Sequence, residues 1–170
     1  MELIRLGTVK VGNYGSAEEL KKALMEKGIF IESYTEHMFN GLVLVPNEAE
    51  IDLVMVSAED LGFEDRDRCD ILMGEVVARG EREGLKRCPA EVGAQILLQL
   101  SNLPIEDYLV ITMDPIPDGD GDQSAFLICS WELNGLSSTY DVDRSDIEYD
   151  SFVFMLPRHV SMPNPEKACA

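Results

Sequence analysis

Apolar residues along this chain follow two periods, and each period predicts its own elements. The opening LIRLGTVKV reads as a strand, and GNYG as the turn that ends it. In SAEELKKALMEKG the spacing becomes helical: Leu20 and Leu24 recur four apart, with Ala17 and Ala23 widening the apolar side. Ser16 supplies the N-cap, Glu19 completes a capping box and Gly28 stops the helix. IFIESYTEHMF supports a strand, by its aromatic and β-branched residues, or a short helix, by its later spacing. GLVLV predicts an extended segment ended by Pro46 and Asn47. A strand follows from Ile51 to Val56, then a turn or short helix capped by Ser57 and limited by Gly62.

Further on, Ile71, Leu72, Val76 and Val77 predict a helix from about Arg66 to Glu83, weakened by Gly74 and Gly80. CPAEVGAQILLQL predicts another, with Pro89 in its first turn, Glu91 near its positive end and Val92, Ile96, Leu97 and Leu100 as the buried stripe. Gln95 and Gln99, four apart, mark its expected wet face. From Tyr108 the pattern becomes strand-like, in YLVITM, SAFLICSWEL and FVFML, with Asp-, Gly-, Ser- and Asn-rich connections. The prediction is an α+β fold, a largely antiparallel sheet with two or three packed helices. Residues 1–162 form one domain in this reading and residues 163–170 a flexible C-terminal tail.

Charge changes the picture most. Asp and Glu total 32 against 14 Lys and Arg, a formal charge of -18, while hydrophobic residues make up 45% of the chain, enough for a real core. No Lys or Arg lies between Arg87 and Arg144, an interval holding Asp114, Asp118, Asp120, Asp122, Asp141 and Asp143. Such a surface repels a phosphate backbone, which disfavours direct binding of nucleic acid, and attracts a basic protein surface. Cys69, Cys88, Cys129 and Cys169 have no CxxC or compact ligand spacing and read as free thiols. With no signal-like N-terminus and no long apolar run, the expectation is a cytoplasmic protein that does not engage a membrane.

Three ordered blocks, IDLVMVSAEDLGF, GLKRCPAEVGAQILLQL and YLVITMDPIPDGDGDQSAF, together resemble a family of small uncharacterised bacterial proteins that share CPAEVG and an acidic DGDGD-like turn. The resemblance covers roughly Ile51 to Phe126 and departs from the family pattern at Ala94, Leu97 and Leu100. It implies one compact domain and no particular activity.

The chemistry-bearing residues form no complete catalytic signature. Asp118, Asp120 and Asp122 alternate as in the first half of a calcium loop. Gln123 stands where that loop needs glycine, and Cys129 where it needs its twelfth-position carboxylate. The stretch therefore reads first as an acidic hairpin and second as a divalent-metal loop that also uses Asp114. His37 and His159 are the only imidazoles, without a nucleophile elbow or phosphate loop to work with. The expectation is a nonenzymatic acidic interaction or regulatory protein that binds a basic partner, in a narrower form by nucleic-acid mimicry, without a cofactor. Its candidate contacts are Asp118, Asp120, Asp122, Trp131, Tyr140, Asp141 and Asp143. The alternative is a metal-binding regulator or metal-dependent enzyme built on the Asp114 to Asp122 loop.

Overall fold

A computed structural model of the chain describes residues 1–64, 71–104, 107–130, 135–139, 142 and 151–157. Six strands form one sheet in the order β1 (Ile4–Val11), β2 (Ala49–Ser57), β8 (Ser151–Met155), β3 (Tyr108–Ile111), β6 (Phe126–Cys129), β7 (Gly135–Ser138). A separate two-stranded ribbon joins β4 (Ile116–Pro117) to β5 (Gln123–Ser124). Neighbours in the large sheet are antiparallel except β3 and β8, whose parallel register sets Ile111 beside Val153. The α+β class is as predicted. The sheet, however, is mixed and spans both halves of the chain, because β8 inserts between β2 and β3.

The helices are α1 (Ala17–Glu26), the short α2 (Ser33–Met38), α3 (Met73–Arg82) and α4 (Val92–Gln99). At α1 the cap forms as expected. The Glu19 N–H donates to Ser16 Oγ at 3.2 Å, and the Glu19 carboxylate reaches back to the Gly15 N–H at 2.9 Å. The chain leaves α1 through Gly28, whose φ of 81° suits a residue without Cβ.

α3 and α4 sit on opposite faces of the sheet. Ile111 and Val153, paired in register, share the face on which Gly93 of α4 comes so close that a Cβ there would lie 3.3 Å from the Ile111 side chain. Phe154 points the other way, and a Cβ on Gly80 of α3 would lie 2.3 Å from its ring. The two central strands are therefore covered on both sides. Leu109, Val110 and Ile111 are all buried, as are Phe152, Val153 and Phe154, with no polar alternation. Gly80 is thus a close-packing position where the sequence suggested only a helix weakness. The described part of that helix begins at Met73, and residues 66–70 of the expected helix lie outside the described residues.

Hydrogen bonds decide how two further predicted segments settle. GLVLV, expected to be extended, has no strand partner among the described residues; its Val45 N–H donates to Glu91, and Val43 is left 80% exposed. Of the turn or short helix expected at Ser57, the turn forms. Ser57 Oγ accepts from the Asp60 N–H at 3.0 Å and donates to the Asp60 carboxylate at 2.9 Å, and Gly62 follows with φ 82°. The ambiguous stretch after Gly28 serves both readings. Phe30 to Glu32 lies against the outer side of β7, the Leu136 N–H donating to the Phe30 carbonyl at 2.8 Å and the Glu32 N–H to the Leu136 carbonyl at 3.1 Å, and α2 follows. The expected tail, residues 163–170, lies outside the described residues.

Candidate functional site

The acidic stretch folds as a hairpin that leaves β3, turns at Asp118 to Asp122 and returns into β6. Ile116 pairs with Ser124 and Pro117 with Gln123 across its ribbon. Asp118 organises the turn. One carboxylate oxygen accepts the Asp120 and Asp122 N–H groups at 2.9 and 3.1 Å, and the other accepts from Ser124 Oγ at 3.0 Å. Its own N–H donates to the Asp122 carbonyl at 2.9 Å, and Gly121 supplies the positive φ of 84° that the tip requires. Asp118 is accordingly half-buried, while Asp120 and Asp122 stand exposed. The three aspartates that look alike in sequence divide into one that builds the turn and two that face solvent.

The tip is pinned to α2. The Gly119 N–H donates to the Tyr34 carbonyl at 3.2 Å, and a Cβ on Gly119 would stand 3.1 Å from the His37 ring and 3.2 Å from the Tyr34 ring. Tyr34 is 49% exposed, so an aromatic ring borders the aspartates at the surface. Sequence reasoning missed Tyr34, because nothing in the spacing of YTEH indicates that α2 packs beside a hairpin some eighty residues away. At the hairpin's base, Asp114 pairs with Arg87 at 2.6 Å, and Arg87 also meets Glu81 at 3.3 Å, so this carboxylate is paired with a cation that it shares with Glu81. Trp131, Tyr140, Asp141 and Asp143 lie outside the described residues, as does His159. Among the described residues, no group of three His, Cys, Asp or Glu side chains is arranged to hold a metal ion.

A second polar cluster is buried, and it centres on Glu91 of CPAEVG. Glu91 has 0% exposure and is the N-cap residue of α4, but its side chain makes no capping bond to the helix's first-turn N–H groups. Its oxygens accept from the Gly12 N–H at 3.2 and 3.1 Å, from the Val45 N–H at 2.8 Å and from Gln95 Nε2 at 2.8 Å. Gln95, expected on the wet face, is also fully buried, because its amide additionally donates to Asn13 Oδ1 at 2.7 Å and accepts from Gln99 Nε2 at 2.7 Å. Gln99 stays exposed, as expected, while its amide exchanges two hydrogen bonds with the Lys10 backbone, both at 2.8 Å. The motif thus ties the turn after β1, the GLVLV segment and α4 together.

Elsewhere, the two described thiols, Cys88 and Cys129, are free and poorly suited to nucleophilic work. Burial pushes the Cys88 thiol well up, and burial followed by the nearby Glu32 carboxylate pushes Cys129 up as well. His37 is exposed on α2. A cleft of about 260 Å³ is lined by Asp60, Leu61, Arg79, Arg82 and Glu83. Its Arg79 is already engaged, donating to the Leu61 carbonyl at 3.2 Å and lying 3.7 Å over the Phe63 ring. Among the described residues, no helix is long and apolar enough to cross a membrane.

No protein-family model, curated protein or solved structure matches the chain. Its functional reading therefore rests on the chemistry of its own residues, in which an acidic hairpin with an adjoining tyrosine is the best-organised exposed feature.

Proposed function

We propose that this chain is a nonenzymatic interaction or regulatory protein that binds a basic protein surface through the hairpin of residues 116–124 and the adjoining α2. The observation that carries the reading is the exposure of Asp120 and Asp122 on a turn that Asp118 holds from within and that Gly119 ties to the exposed Tyr34. Carboxylates placed this way offer charge to Lys and Arg, and an exposed tyrosine ring adds a face on which a guanidinium can stack. A net charge of -18 extends the attraction to longer range and speeds encounter with a cationic partner. The setting we infer is a reducing cytoplasm, in keeping with the free thiols of Cys88 and Cys129.

The test is a low-salt capture of partners with the native protein and with an Asp120→Asn/Asp122→Asn variant, Asp118 being left in place so that the turn persists. A basic partner should be retained by the native chain, released as salt rises and bound more weakly by the variant. Equal retention by both proteins, or no basic partner at low salt, would overturn the reading. In the narrower form, the partner is a nucleic-acid-binding protein and an oligonucleotide competes with this chain for it. Simultaneous binding of both would remove that form and leave the broader one standing.

A further inference from the structure

We infer that Glu91 is a proton-operated latch, whose carboxylate holds residues 43–47 against the fold and whose protonation releases them. Gly41 and Leu42 are still bonded to the end of α2, at the Met38 and Phe39 carbonyls. Among the described residues, the one hydrogen bond that ties residues 43–47 to the rest of the fold is that of the Val45 N–H to Glu91 Oε1, at 2.8 Å. Leu44 and Val45 are half-buried against the core, and Val43 beside them is exposed. The segment is therefore a strap with a single polar fastening, and that fastening is titratable. Its release in acid would uncover Leu44 and Val45 next to Val43, an apolar segment that the charged carboxylate keeps down.

Backbone groups set the polarity of the cluster. The Lys10 C=O accepts from Gln99 Nε2 and the Lys10 N–H donates to Gln99 Oε1, which orients that amide. Gln99 Nε2 then donates to Gln95 Oε1, so Gln95 turns its Nε2 to Glu91 Oε2. With the Gly12 and Val45 N–H groups added, every bonded neighbour of the carboxylate is a donor. A carboxylate accepts all of these bonds, whereas a carboxylic acid carries a hydrogen of its own that would meet one of them. Turning the Gln95 amide over would offer an acceptor, but only by setting its Nε2 against Gln99 Nε2. Protonation therefore forfeits charge-assisted bonding. Gly12 and Gln95 stay held by β1 and α4, while Val45 has nothing else to hold it. The charges on the surrounding elements are engaged away from Glu91. Lys10 pairs with Glu48 at 3.9 Å, Arg5 with Asp52 at 3.2 Å, Lys21 with Glu18 and Glu36, and Lys22 with Glu26. Glu19 turns to the Gly15 N–H and Lys27 to the Leu97 and Leu98 carbonyls, and Tyr14 and Cys129 are the other titratable groups on these elements.

The experiment follows amide protection factors of the native chain by hydrogen exchange from neutral pH down through the carboxylate range, with the Glu91 carboxyl carbon observed by NMR in the same samples. Val45 protection should fall on the order of tenfold or more, with the midpoint at which the Glu91 carboxyl takes up its proton. The amides of Val110 and Phe152, at the centre of the sheet, should lose far less. Glu91→Gln, uncharged throughout, should show low Val45 protection that no longer follows pH. The inference is overturned if Val45 stays protected after Glu91 is protonated, if Val110 and Phe152 lose protection by the same factor, or if Glu91→Gln keeps the pH dependence. Should Glu91→Gln lose its fold, the coincidence or separation of the two midpoints in the native chain decides.

Discussion

Glu91 is a carboxylate without exposed surface whose donors come from Gly12, Val45 and Gln95, residues that only folding brings together. Truncation to alanine would strand buried backbone N–H groups, each expensive to leave unbonded, so Glu91→Ala should cost about 3 kcal/mol. Glu91→Gln keeps an acceptor but loses charge-assisted bonding and places an NH₂ among donors, for about 2 kcal/mol. Urea unfolding of both variants checks the order. Asp60 offers a test against pH. The Glu2 N–H bond, first, and then the Ser57 hydroxyl and the N-terminal charge hold its carboxyl below the usual range, against a smaller opposing effect of burial. A lowered folded-state pKa contributes stability above the unfolded value of about 3.9, and that contribution disappears as pH falls through the folded value. Asp60→Asn should therefore be less stable than the native chain at pH 7, by well under about 1 kcal/mol for so exposed a group, and the gap should close in acid.

At the scale of elements, α3 and α4 approach the sheet through glycines. Gly80→Ala would drive a methyl group to 2.3 Å from Phe154, a fully buried ring packed at the centre of the sheet. Overpacking of this kind costs about 1–3 kcal/mol despite alanine's better helix propensity, so thermal unfolding should move down rather than up. At Gly93 the nearest atom would be 3.2 Å away, and Gly93→Ala should be the milder change. The hairpin behaves as an element in the same sense. Asp118→Asn keeps one acceptor oxygen but loses the other, so it should loosen the tip and speed exchange of the Asp120 and Asp122 amides, whereas Asp120→Asn should leave that exchange unchanged. The helical period of α1 and its cap were legible in the sequence because they depend on residues within one turn of each other. Gln95 was misplaced on the wet face because one of the polar partners that satisfy its buried amide, Asn13, lies 82 positions away.

For the molecule as a whole, a charge of -18 works against the compact state through self-repulsion while favouring solubility and cationic partners. Raising ionic strength from about 10 to 150 mM shortens the screening length from about 30 to 8 Å. The melting temperature should rise over that range, and the affinity for the proposed basic partner should fall, so calorimetry and a binding titration at matched salts separate the two effects. The α+β class, the capped first helix, the strand-rich second half and the acidic turn were determined by the sequence alone, since period, caps and turn chemistry act locally. Only the tertiary structure decided that β8 enters between β2 and β3, that GLVLV gives its Val45 N–H to a carboxylate, and that DGDGD contains one structural and two exposed aspartates. Those outcomes depend on contacts between residues distant in the chain, which local patterns of apolar and charged residues do not encode.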